Sequence, residues 1–399
     1  MKKWLALLLT AVMLLILTGC WDRREMNTLG IIMGLGIDQA DNGLKVTAQV
    51  VIPAGVSSNT GKVIGSPITV YSQTAPTLFE AIQKLTLVSP RMMFLSHIRV
   101  LVLSEEFASH VGIGDIMESM VRDPMVRPDY YVMIARNTTA ETILSTLTAL
   151  DKISANKLYN SLEQSSKTWA PTTVVNADRL FEHMISSGIS PVVTGVQVMG
   201  DPKAGSLQRN VETSNPGTKL IYTGIGVFKK DKLIGWLNED ESKGFNYIRD
   251  NVRVTVGHVN CSNKGKIALR HIKTSSKMKA EIRQSIPSIN IHVKVISTVA
   301  SVECDEQIGN IDVINRLQRD AESKIINLMK KAVESVSRKY KVDIFGFGEE
   351  INRTNPKLWK QLESQWNEKL AELKVNYTAE YEIKQVGTLD DSFQSYIKE

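Results

Sequence analysis

The first twenty residues constrain this chain more than any other stretch. Lys2 and Lys3 precede Trp4 to Leu17, fourteen residues without a charge. A bilayer-spanning helix needs roughly 20 apolar residues, so a run this short behind two lysines reads as an export signal. It closes on Leu17-Thr18-Gly19-Cys20. Small residues ahead of a cysteine form a lipobox, in which the thiol takes a diacylglyceryl thioether and cleavage leaves Cys20 as the new N-terminus. A plain secretory signal with an incidental cysteine, or an uncleaved anchor, is the competing reading. Burial of acyl chains contributes roughly 0.8 kcal/mol per methylene, so two chains hold where one binds only reversibly. Trp21 suits the headgroup level, and Asp22, Arg23, Arg24 and Glu25 return the chain to water. No Gly/Ser tether follows. What comes after Cys20 is therefore expected to fold as a water-exposed body close to a membrane.

Removal of residues 1–19 leaves a length that suits two or three domains. Charged residues make up 23% and hydrophobic ones 43%, an ordinary globular balance. The formal charge of +6 includes Lys2 and Lys3, and the remaining excess is scattered. A nucleic-acid binder would concentrate it in a stripe, so weak attraction to anionic headgroups is the better use. No later apolar run reaches membrane-spanning length. Of the three cysteines, Cys261 and Cys304 remain once Cys20 is lipidated; export permits a disulfide, and two buried free thiols fit equally well.

The hydrophobic pattern indicates an α+β, multi-domain chain with mixed sheets and packed helices. Its expected divisions are a signal peptide (1–19), an N-terminal α+β domain (20–200), a linker (201–218), a small β-rich middle domain (219–264) and a C-terminal α+β domain (265–399). Leu29–Ile37 and Leu44–Ile52 flank an Asn42-Gly43 pair, a strong hairpin signal. Pro76 opens a helix whose Leu78, Phe79, Ile82 and Leu85 share one face. One long strand is expected over 92–103, one helix over 105–121, a strand over 130–135, and a helix from a Thr138/Glu141 capping box to Leu150. A further helix is expected within 173–186. Asp201-Pro202, Gly205-Ser206 and Asn215-Pro216-Gly217 mark the linker, and a second hairpin surrounds Lys229–Lys232. Later, 291–302 reads as strand and 311–340 as a long helix. Asn355-Pro356 is a cap followed by proline at the first helical position; that helix carries Trp359, Leu362, Trp366 and Leu370. Val375, Tyr377, Ala379, Tyr381 and Ile383 alternate as a half-buried strand.

Little in the chain converges on catalysis. His97, His110, His183, His258, His271 and His292 are scattered, with no zinc-ligand spacing. His258-Val-Asn-Cys261 lacks a second ligand pair. Gly30, Gly34 and Gly36 continue into a hairpin strand and do not open a helix, so close backbone packing is expected there in place of a phosphate cradle. Gly346 and Gly348 are expected to supply turn conformations between inward-packed aromatics. Trp359 and Trp366 are expected in the core. The residues indicate no enzyme, cofactor or metal site, and Cys20, as the lipid attachment, is the single candidate functional residue. A lipid-anchored solute-binding protein of a transporter is the alternative; a wall hydrolase would need a carboxylate pair or metal site.

An ordered set of stretches resembles the Ger(x)C family of spore germination lipoproteins, the C subunits of nutrient germinant receptors. These are Gly19-Cys-Trp-Asp-Arg-Arg-Glu25, Gly34-Leu-Gly-Ile-Asp38, Phe94–Leu103, Arg122-Asp-Pro124, Gly226–Gly235, and Asp343-Ile-Phe-Gly-Phe-Gly348 with Trp359. The resemblance implies a non-enzymatic subunit on the extracytoplasmic face of the spore inner membrane, held by its diacylglyceryl lipid. Its implied partners are an A-type subunit and a permease-like B-type subunit, both membrane-embedded. Only Cys20 carries over as a functional residue.

Overall fold

The computed structural model describes residues 3–5, 28–53 and 66–385; Cys20 lies outside them. In chain order the main elements are β1 (Leu29–Ala40), β2 (Gly43–Val51), β3 (Ile68–Ala75), α1 (Leu78–Lys84), β4 (Met92–Phe94), β5 (Val100–Ser104), α2 (Glu105–His110), α3 (Gly114–Arg122) and β6 (Tyr131–Ala135). There follow α4 (Ala140–Ser145), α5 (Ser154–Thr168), α6 (Ala177–Ile185), β7 (Val192–Met199), β8 (Lys219–Lys229), β9 (Lys232–Leu237) and α7 (Glu239–Ile248). The last part holds β10 (Thr255–Asn260), β11 (Lys266–Arg283), β12 (Ile286–Val302), α8 (Ile311–Ser335), α9 (Phe347–Thr354), α10 (Pro356–Leu362) and β13 (Lys374–Gln385). They make a mixed α+β fold with two sheets.

The first sheet runs β3-β2-β1-β5-β6-β7-β8-β9, with β4 also on β1. Its centre is parallel and its flanks antiparallel. Val100 and Val102 enter a core under α4 and α5, while Leu101 and Leu103 enter the opposite, larger core. A central strand covered on both faces must be apolar throughout, which explains the unbroken Val-Leu-Val-Leu. Gly34 and Gly36 let α4 approach: a Cβ at Gly34 would stand 2.7 Å from Leu144 Cδ2, and at Gly36 3.0 Å from Leu144 Cδ1. The second sheet is β10-β11-β12-β13, with α8 across it.

Several local expectations are corrected. The 92–103 strand is two strands, both parallel to β1; the Ile98 N–H turns back to the Leu95 carbonyl at 3.2 Å, and both side chains enter the core. The 105–121 helix is broken at Gly112, whose φ is +102°. There the Ile113 N–H leaves the helical pattern for the Asp231 carbonyl at 2.9 Å. Helix α4 stops at Ser145, and Thr139 rather than Thr138 caps it. Glu141 turns instead to Lys45 (2.6 Å) and Ser72 (2.7 Å). The stretch 201–218 runs between adjacent antiparallel strands of one sheet. It is closed by buried Asn210, whose Oδ1 accepts the Thr218 N–H and whose Nδ2 donates to the Leu147 and Thr218 carbonyls. The hairpin at 219–237 thus extends the first sheet, and β10 belongs to the second.

Helix α7 lies against α8 at backbone distance. A Cβ added at Gly244 would stand 2.1 Å from the Leu328 carbonyl oxygen, a clash that no side-chain rotation relieves. Gly244→Ala is expected to destabilise the protein by about 1–3 kcal/mol, read as a lower denaturant midpoint at unchanged slope. Cys261 and Cys304 form a disulfide across 43 residues of sequence. A loop of that length predicts a loss of roughly 2–4 kcal/mol when both are replaced by alanine, measured by the same denaturation.

Candidate functional site

The residues singled out from the sequence do not gather into one centre. His97 packs 5.6 Å from the Phe94 ring, and His292 Nδ1 bonds Thr378 Oγ1 at 3.0 Å. His110 ends α2, and His183 lies on α6, where burial, with Arg249 and Arg179 nearby, pushes it down to about 4. Cys261, Cys304 and Glu306 do lie together, yet both sulfurs are spent on the disulfide. The Glu306 carboxylate accepts from the Ser262 N–H and from Arg316. Trp359 and Trp366 meet edge to face at 5.4 Å, both buried.

Two buried aspartates are structural anchors. Asp38 lies 5% exposed and accepts the Ala140 and Glu141 N–H groups at 2.7 and 3.0 Å, so a strand residue satisfies the start of α4. Asp343 is 1% exposed. Its Oδ1 accepts from the backbone N–H groups of Phe345 (2.9 Å) and Gly346 (2.8 Å). Its Oδ2 accepts from Gly348 N–H (2.8 Å) and Trp366 Nε1 (2.9 Å). Burial raises the pKa of both carboxyls, and the bonds they accept oppose it. Gly346 takes φ +78° to close the loop, with Phe345 and Phe347 stacked at 5.0 Å inside it.

A groove lies elsewhere, where α7, β10 and α8 meet beside Trp169. It encloses about 590 Å³, within the usual range for small-molecule sites. Tyr247, Leu269, His271 and Tyr381 form its inner wall. His271 is 4% exposed; its Nδ1 faces Tyr247 Oη at 3.3 Å and its ring meets Tyr381 edge-on at 5.4 Å. Burial pushes it down to about 4, so the imidazole is neutral at neutral pH. At the mouth, Lys243 bonds Glu239 at 2.6 Å and sits over the Trp169 ring at 4.8 Å. Lys324 donates to the His258 carbonyl at 2.8 Å. His258 and His271 are the two histidines the fold brings to one feature. Little in the local pattern signals this: Asn238-Glu239-Asp240-Glu241 is a capping box for α7, and the alternation through Ile267, Leu269 and His271 marks β11. Both signals were readable, and neither indicates that the two elements enclose a space.

The unfolded chain protonates this histidine near 6.5 and the folded chain only near 4. Its contribution to stability is thus complete above pH 6.5 and lost as pH falls towards 4. The loss amounts to roughly 3 kcal/mol. Denaturation of the wild type and His271→Gln at both pH values is expected to show their stability difference shrinking by that order on acidification.

Comparison with known proteins places this architecture. Residues 22–198 match the family model "Spore germination protein N-terminal domain", and residues 223–387 match "Spore germination B3/ GerAC like, C-terminal". Spore germination protein KC of Bacillus subtilis (strain 168) is 26% identical over all of this chain and 99% of its own length. Spore germination protein B3 of the same organism is 24% identical, covering 94% of this chain and 96% of that one. GerQC of Bacillus cereus is 22% identical over 98% and 100%. The crystal structure of the GerBC protein shares the fold, with a TM-score of 0.54 at 19% identity over 88% of this chain and 97% of that one. With both family models matched in order along almost the whole of its length, the chain belongs to the Ger(x)C family of spore germination proteins.

Proposed function

We propose that this protein is a lipid-anchored, non-enzymatic subunit of a spore nutrient germinant receptor, working through contacts with membrane-embedded A-type and B-type subunits. The observation that carries this reading is the ordered match of both family models over residues 22–198 and 223–387. The anchor is Cys20, with two acyl chains in the outer leaflet of the spore inner membrane. Strand β1 begins at Leu29, so eight residues of chain separate Cys20 from the first sheet, a span of at most about 30 Å when extended.

The surface beside that entry point suits such a placement. Leu29 pairs with Met92, and Leu87, Val88 and Met92 are exposed, Leu87 by 79%. An apolar edge next to the anchoring point is favoured at the headgroup boundary. Among the described residues no helix is long and apolar enough to cross a membrane, so in this reading the lipid is what holds the body there. The transporter alternative, a solute-binding lipoprotein, would pair two related α/β lobes. The two sheets here differ in size and strand order, which favours the receptor reading.

Spores lacking the protein are expected to lose the response to one nutrient and to germinate normally under a stimulus that bypasses nutrient receptors. A defect under both triggers would refute the receptor assignment. Cys20→Ala is expected to abolish lipid modification and to remove the protein from the membrane fraction with its partners. Normal lipid labelling and co-purification of that variant would refute the anchor.

A further inference from the structure

We infer that the groove between α7, β10 and α8 is a binding site for a small carboxylate with an apolar, ring-sized body. Three features define this ligand. The first is a polar atom of the wall that faces the groove. His271 Nε2 has no hydrogen-bond partner among the described residues, while Nδ1 is held by Tyr247. Gly257 lines the groove beside that atom: among the described residues other than its two chain neighbours, only His271 Nε2 comes within 4 Å of where a Cβ would be, at 3.8 Å. Any side chain at 257 would project into this space. An imidazole nitrogen that faces the groove is free to bond a polar atom of whatever enters.

The second feature is the wall. Leu269, Ile325, Leu328 and the rings of Tyr247 and Tyr381 offer apolar surface around that nitrogen, and Trp169 stands at the entrance. A body of aromatic size removes this surface from water. The third is charge at the mouth. Glu239 is paired with Lys243, and Asp240 with Lys331. Among the described residues Lys324 bonds the His258 carbonyl and makes no ion pair, though the Asp240 charge acts on it. Burial first, then Lys324, Lys266 and Lys243, disfavour protonation of His258, with Glu303 opposing them. A ligand carboxylate completes Lys324 where a second cation would be repelled. The apolar body then extends inward, and a polar atom on it reaches His271. With Tyr247 Oη donating to Nδ1, Nε2–H donates to that atom; in the other tautomer Nε2 accepts.

This site does not depend on the receptor assignment, because it is read on the purified protein rather than on spores. The full chain in lipid nanodiscs is titrated with 3-(4-hydroxyphenyl)propionate and with its neutral counterpart 3-(4-hydroxyphenyl)-1-propanol, followed by ligand-observed NMR against empty nanodiscs. Saturable binding of the carboxylate is expected, at least tenfold weaker in Gly257→Leu, which fills the groove from an exposed strand without a left-handed backbone. Lys324→Gln is expected to weaken the carboxylate roughly two- to fivefold and to leave the alcohol unchanged. Wild-type binding no greater than that of empty nanodiscs overturns the proposal, as does binding untouched by Gly257→Leu in a variant whose thermal unfolding matches the wild type. Equal loss of acid and alcohol in Lys324→Gln would overturn the assignment of the carboxylate to that lysine.

Discussion

Asp343 is the contact on which the joining of the two sheets depends. It sits in the connection after α8, fully inside the protein, and accepts four N–H donors from its own loop and from Trp366. A hydrogen bond to a charged acceptor contributes about 1.5–3 kcal/mol, and a loop wound round one carboxylate has little freedom left. That rigid loop then meets earlier parts of the chain. The Glu349 N–H reaches the Gly188 carbonyl at 3.3 Å, and Arg249 Nη1 donates to the Phe345 carbonyl at 2.8 Å. Segments 161 and 96 residues apart are thereby tied, the first backbone to backbone and the second by a side chain to a carbonyl.

A second tie acts at the sheet edge. Tyr340, at the end of the long C-terminal helix, donates its hydroxyl to the Trp236 carbonyl at 2.8 Å and accepts the Trp236 N–H at 3.1 Å. One phenol therefore occupies edge groups on β9 that would otherwise invite another strand. Trp236 is fixed further by Glu105 at 2.6 Å and by Arg136 over its ring at 4.5 Å. With α8 anchored to the first sheet at its C-terminal end and to the second along its length, α7 is held between them. The groove beside His271 adjoins that packing: α7 and α8 touch backbone to backbone at Gly244, and Lys243 and Lys324 line the groove.

Where the sequence misled, long-range partners overrode local preference. Thr138 to Glu141 satisfies the local pattern of a capping box, yet Asp38 already serves the amides that Glu141 would leave free, and Glu141 pairs across to Lys45. Residues 105–121 have an apolar period that would sustain one helix; the Asp231 carbonyl takes the Ile113 N–H and Gly112 turns the chain. Helix α5 was missed because Ser, Asn and Gln fill much of its length, and only Ala155, Leu158 and Leu162 mark the buried face. Turn dipeptides over 201–218 suggested a linker, and turns are also what two adjacent antiparallel strands need.

By itself the sequence determined the signal and lipobox pattern, the α+β class, both hairpins, the long helix and the final strand. Each of these is written in local periodicity or in residues whose chemistry acts over a few positions. The family, too, was legible, because an ordered series of short stretches is retained along the chain. The order of strands in the two sheets, the pairing of Cys261 with Cys304 and the space in front of His271 were decided only by tertiary structure. Those depend on which apolar faces meet and how closely, and a glycine such as Gly257 does not reveal in sequence whether it opens a turn, admits a helix or uncovers a buried imidazole.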